Sequence, residues 1–165
     1  MKNLFVISLI LFGAILNLQA QDRESIAAEE AALAKRMVEK VQQITKRIEG
    51  RLSDIEPVVK TMPASESQPV SKKLSVWMQD GKAQKLEVSE AGNKNTSVFY
   101  FADDELFFVN QPYSRFIFIS GQLEYWLNDK WEPNQVNRNL LVERENMLYD
   151  EVNGYLTWLY AQYRN

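Results

Sequence analysis

Val76-Trp77-Met78-Gln79-Asp80-Gly81-Lys82-Ala83-Gln84-Lys85-Leu86, Val98-Phe99-Tyr100-Phe101-Ala102-Asp103-Asp104-Glu105-Leu106-Phe107-Phe108-Val109 and Phe116-Ile117-Phe118-Ile119-Ser120-Gly121-Gln122-Leu123-Glu124-Tyr125-Trp126 are three versions of one pattern. Each consists of an aromatic or β-branched run, a two-residue turn signal (Asp80-Gly81, Asp103-Asp104, Ser120-Gly121) and a second such run. That is the signature of a β-hairpin. Short polar joints separate the copies, Glu90 to Ser97 and Gln111 to Ser114. Sequential pairing then predicts an antiparallel meander of about six strands over 74–131.

The hairpins differ in how their faces read. In the first, Leu74, Val76 and Met78 alternate with Ser75, Trp77 and Gln79, and Leu86 and Val88 alternate with Lys85, Glu87 and Ser89. Such alternation predicts one dry and one wet side. In the second and third, Phe99 and Phe101 oppose Val98 and Tyr100, and Phe116 and Phe118 oppose Ile117 and Ile119. Both faces there are apolar, so both need cover.

Two helices are available to provide it. Ile26, Leu33, Met37, Val41, Ile44, Ile48, Leu52 and Ile55 step by three, four or seven, with alanines between them. A long amphipathic helix is predicted over 21–56, with acids in its first turns and Lys46, Arg47 and Arg51 in its last, as the helix dipole favours. If it lies on the sheet, Leu33, Met37, Val41, Ile44 and Ile48 are buried. Pro57 ends it, and three prolines and several serines mark 57–73 as an exposed connector. Near the other end, Leu141, Leu148, Val152, Leu156 and Leu159 form a second stripe, with Asn134, Asn137 or Asn139 as the cap of a helix over 134–163 that packs on the sheet. The fold class is α+β: a long N-terminal helix, a three-hairpin meander and a C-terminal helix.

Lys2, the apolar run Leu4 to Leu18 and the terminal Leu18-Gln19-Ala20 have the three parts of a signal peptide, and the run is short for a bilayer span of about 20 residues. Residues 1–20 are therefore read as a leader and 21–165 as a single domain, soluble and periplasmic or secreted, with no transmembrane segment in the mature chain. The 19 Lys and Arg against 22 Asp and Glu leave −3 overall, or −4 once Lys2 departs with the leader. The basic residues form no stripe, which argues against nucleic acid as a partner. There is no cysteine, hence no disulfide to staple an exported fold.

Histidine is absent as well. The commonest general base, the commonest metal ligand and the thiol nucleophile are thus missing together, and no metal or cofactor is expected. No nucleophile-elbow or phosphate-loop motif occurs. Asp103-Asp104-Glu105 reads as a turn rather than a cation site. Glu124 with Asp129 or Glu132 is the pair a carboxylate hydrolase would need, and nothing local places them across a cleft. What remains is a surplus of aromatic residues, most of them core, from which Trp77, Tyr113 and Trp131 stand out as binding candidates. The expected function is non-catalytic binding of another envelope or extracellular protein in a bacterium. The alternative is a carrier of a small apolar ligand between sheet and helices, and a hydrolase comes third.

The leader reading is checked by the N-terminus of the exported protein. Intact mass and N-terminal sequencing are expected to give a mature chain beginning at Gln21, and retention of residues 1–20 rejects it.

Overall fold

The computed structural model describes residues 28–66, 68–90, 93 and 95–163; the expected leader and the first residues of the expected helix lie outside them. The chain forms an N-terminal helix, α1, helical over 28–52, a seven-stranded sheet, and a C-terminal helix, α2 (Arg138–Tyr163). The strands are β1 (Val58–Met62), β2 (Lys72–Gln79), β3 (Lys82–Glu90), β4 (Thr96–Ala102), β5 (Glu105–Gln111), β6 (Ser114–Ile119) and β7 (Gln122–Leu127). They pair antiparallel in sequence order throughout. The chain divides into two compact units, residues 1–40 and 41–165, the division falling within α1.

The repeated pattern becomes repeated geometry. Asp80 and Gly81, Asp103 and Asp104, and Ser120 and Gly121 all have positive φ. Two successive positive-φ residues make the tight turn whose twist matches the flanking strands, and Gly or Asp supplies it at least cost. Each hairpin also carries one bulge, between Trp77 and Met78, Tyr100 and Phe101, and Ile117 and Phe118. The extra residue lies on the returning strand each time, at Gln84, Phe107 and Glu124, so every hairpin twists more sharply near its turn.

Register aligns one residue from every strand into a single row: Val58, Val76, Leu86, Phe99, Val109, Phe116 and Trp126. This row and its neighbours face α2, where Leu148, Val152, Tyr155 and Leu159 complete the main core. Asn137 caps that helix, its side-chain oxygen accepting from the N–H of Leu140 at 3.0 Å. The next row, Trp77, Lys85, Tyr100, Phe108, Ile117 and Tyr125, faces the other way. The part of α1 that begins at Val41 reaches this face, where Glu49 bonds Lys85 and Tyr100, and it buries Val41, Ile48 and Leu52. The doubly apolar hairpins thus receive cover on both sides.

Three expectations need correction. There are seven strands rather than about six, because β1 forms inside the stretch read as connector; Val58 and Met62 alternate onto the main core, and three intervening exposed residues do not prevent pairing with β2. The side of the first hairpin expected to be wet is covered in part: Lys85 is only 7 % exposed, Ser75, Trp77, Glu87 and Ser89 are half-buried, and Gln79 is exposed. Its alternation records a buried charge, which hydropathy cannot distinguish from a solvated one. The third concerns the helix. It ends at residue 52 instead of 56, with Gly50 carried inside it. Within 28–40, Leu33 is 52 % exposed while Met37 is half-buried. Among the described residues no helix is long and apolar enough to cross a membrane.

Ile48 is 2 % exposed, whereas Ile44 is half-buried. Ile48→Asp leaves an unpaired carboxylate beneath α1 and is expected to cost on the order of 3–5 kcal/mol in urea unfolding, with Ile44→Asp clearly milder. Equal effects at the two positions contradict this packing.

Candidate functional site

The most developed polar arrangement lies where α1 crosses β2, β3 and β4. Glu49 projects from the last turns of α1, and Lys85, Glu87 and Tyr100 from β3 and β4. Lys85 Nζ lies 2.7 Å from Glu49 Oε1, 3.0 Å from Glu49 Oε2 and 2.8 Å from Glu87 Oε1. The Tyr100 hydroxyl donates to Glu49 Oε1 at 2.6 Å. The ammonium also stands over the Trp77 ring, 4.5 Å from its centre. An amine buried this far must keep its charge paired, and two carboxylates with a ring face achieve that.

The same arrangement holds each group in one protonation state. Burial pulls the Lys85 pKa down, but hydrogen bonds to Glu49 and Glu87 outweigh it and leave the amine above its ordinary 10.5. Burial pulls Glu49 upward, but its bonds from Lys85 and Tyr100 leave the carboxyl below its ordinary 4.5. Burial, and then the hydrogen bond to Glu49, raise the Tyr100 hydroxyl above its usual range. An amine nucleophile must lose its proton and a general acid must hold one near neutral pH. Lys85 and Glu49 are tuned away from both roles and act as a lock between helix and sheet.

From this lock an aromatic ladder crosses the sheet. Tyr100 stacks on Phe108 with centroids 5.7 Å apart, and Phe108 stacks on Trp131 at 5.4 Å and 13°. Arg115 closes the far end, its guanidinium carbon 4.8 Å from the Trp131 ring centre while Nη1 donates to the carbonyl of Asn128. Asn128 shapes the loop that carries Trp131. Its side-chain oxygen accepts from the N–H groups of Lys130 and Glu132, and Trp131 takes a φ of 67°.

Beside the lock an open cleft of about 560 Å³ is lined by Glu49, the segment from Leu52 to Pro57, and Trp77. Trp77 is half-buried and forms its aromatic wall. A second cleft, of about 380 Å³, runs between Ile44, Ile48 and Arg51 and the turns at 79–84 and 101–103. On the α2 face, Lys72 Nζ donates to the Tyr155 hydroxyl at 2.6 Å, and that hydroxyl donates to Glu151 at 2.9 Å. Burial and the Glu151 charge raise the Tyr155 pKa, so this hydroxyl too stays protonated.

Of the residues singled out in the sequence, Trp77 and Trp131 share one face and are joined through Lys85, Tyr100 and Phe108. Tyr113 stands apart in the turn between β5 and β6, 79 % exposed with a φ of 68°. Asp104 pairs with Lys82 across the neighbouring turns. Glu124 pairs with Arg138, and Glu132 accepts from the Asn128 side chain. Among the described residues no group of three or more acidic side chains could hold a metal ion. Sequence reading passed over Lys85 and Glu49, because a lysine on an alternating strand and a glutamate on an amphipathic helix both look solvated. Comparison with protein-family models, with curated proteins and with solved structures finds no match to this chain.

Lys85→Met keeps the stem but strips Glu49 and Glu87 of their cation. With the Glu49 side chain 44 % exposed, solvent offsets part of the loss, and a destabilisation of about 2 kcal/mol is expected near neutral pH. Glu49, with its lowered pKa, stabilises the fold above its unfolded value, and that contribution is lost as pH falls through the folded one. Lys85, with its raised pKa, stabilises below 10.5, and that contribution is lost as pH rises through the folded value. Urea unfolding from pH 3 to 11 should therefore show the gap between parent and Lys85→Met widest between about pH 5 and 10 and narrower at pH 3. A gap independent of pH denies the lock.

Proposed function

We propose that this is an exported, non-catalytic binding protein of the bacterial envelope or extracellular space, which captures another protein in the cleft beside Trp77. The observation that carries the reading is Trp77 itself. A large ring is fixed from beneath by a buried lysine, which is in turn fixed by a helix, and the ring walls an open cleft. Binding surfaces draw most of their affinity from a few rigid aromatic anchors that lose little entropy on contact. The carboxylates Asp54 and Glu56 on the same cleft favour a partner that brings a cationic or ring-bearing side chain to it.

The ionisable groups nearest the ring support binding over turnover, since Lys85 and Glu49 are held in their charged forms and Tyr100 in its neutral one. The carrier reading needs room between sheet and helices. Leu74, Leu86, Phe99, Phe116 and Leu123 are fully buried on the α2 face and Ile117 on the other, whereas the clefts of about 560 and 380 Å³ open at the surface around α1.

The test is capture of the partner from the native envelope by tagged mature protein, with and without Trp77→Ala. The partner is expected to be retained by the parent and at least tenfold more weakly by the variant, a loss of about 1.4 kcal/mol or more, while the melting midpoint moves by only a few degrees. Undiminished capture by the variant sinks the cleft as the site. Failure of the parent to retain any protein argues against the reading as a whole.

A further inference from the structure

The sheet has two edges, and the chain treats them oppositely. Along β7, residues 128–138 fold back on the strand: the N–H of Asn134 donates to the carbonyl of Trp126 at 2.8 Å, and that of Asn128 to the carbonyl of Glu132 at 2.9 Å. Further along, Arg138 Nη1 donates to the carbonyl of Leu123 at 3.1 Å, and the Leu123 N–H donates to Glu145. That edge is closed by the protein's own loop and helix.

Among the described residues the β1 edge is open. Among the described residues β1 pairs with β2 alone, and its central residues are exposed, Val59 at 46 %. An uncovered row of N–H and C=O groups is a template for another strand.

Charge decides what kind of strand. Lys60 lies on the edge strand opposite Leu74, and Lys73 lies one strand in, on β2 opposite Thr61, so the two lysines project to opposite faces. Both are exposed, and neither has a hydrogen-bond or ion-pair partner among the described residues. Of the acids around the edge, Glu90 lies two strands in, opposite Lys72, Asp54 and Glu56 precede the Val58 end, and Glu66 follows the Met62 end. A second copy pairing antiparallel in register would set Lys60 against Lys60, which is unfavourable. We propose that the β1 edge takes up an extended, acidic segment of a partner polypeptide as an eighth strand, with a carboxylate opposite Lys60 and an apolar residue against Val59. This stands independently of the Trp77 cleft, since Thr61 and Lys60 are not among the residues lining it.

The probes are two fluorescein-labelled, end-capped peptides, Thr-Glu-Val-Glu-Val-Glu-Thr and Thr-Lys-Val-Lys-Val-Lys-Thr, titrated against the mature protein at low ionic strength. The Glu peptide is expected to bind at least tenfold more tightly than the Lys peptide and to shift the amide resonances of Val58 to Met62. Lys60→Glu, an exposed change that leaves the fold intact by its melting midpoint, is expected to reverse the preference. Equal uptake of both peptides, no uptake of either, or shifts confined to residues elsewhere overturns the proposal. A dimer of the parent that Lys60→Glu changes, with no peptide bound, also overturns it by making a second copy the occupant.

Discussion

The structure depends on a sheet that is apolar on both faces across its central strands. Phe99, Val109 and Phe116 point one way and Tyr100, Phe108 and Ile117 the other, in two adjacent rows set by one register. A slip of one residue in any strand would exchange the rows and turn every side chain to the wrong face. Register is therefore specified from both sides at once. Identical turns and bulges in the three hairpins maintain it, because each bulge inserts its extra residue at the same distance from its turn. Both helices follow from this requirement: α2 completes the core beneath one row, and α1 from Val41 onward reaches the other.

Covering the second face brings a charge into the interior. Where the apolar row reaches β3 it meets Lys85, and a helix with only apolar residues in that position would leave the ammonium with Glu87 as its one carboxylate. Glu49 answers it from the helix and Glu87 from the same strand, and the Tyr100 hydroxyl on the next strand donates to Glu49. Such a pair contributes modest net stability after desolvation, but it admits only one placement of helix on sheet. The same interaction holds Trp77 by placing a cation on its ring. The seating of the last turns of α1 and the wall of the cleft thus share one amine.

The aromatic surplus divides by location. Phe99, Phe116 and Phe118 are core on the α2 face, and Tyr155 and Tyr149 meet Phe99 and Phe118 edge to face. Tyr100, Phe108 and Trp131 form the ladder on the opposite face, with a cation at each end. Arg144 lies over Phe116 and Trp126 in the same manner. Stacked rings and guanidinium planes fill space that strand side chains alone leave open near the ends of the sheet, and they fix loops that carry little apolar area of their own.

Local signals determined much of this protein. Tight turns at Asp80-Gly81, Asp103-Asp104 and Ser120-Gly121, the meander order, the stripe of α2 and its asparagine cap are each settled by residues within a few positions, and each is legible in the chain. β1 was not, because three apolar residues, Val58, Val59 and Met62, among prolines and serines form a strand only when β2 lies beside them. Trp77 and Trp131 are visible as exceptional residues, but their connection is not. Tertiary structure alone decided that Lys85 is buried, that Glu49 meets it from 36 residues away, and that the ring between helix and strand walls a cleft. The reason is physical: a backbone turn is chosen by the residues that make it, whereas the dielectric around a charge is set by whatever segment packs over it.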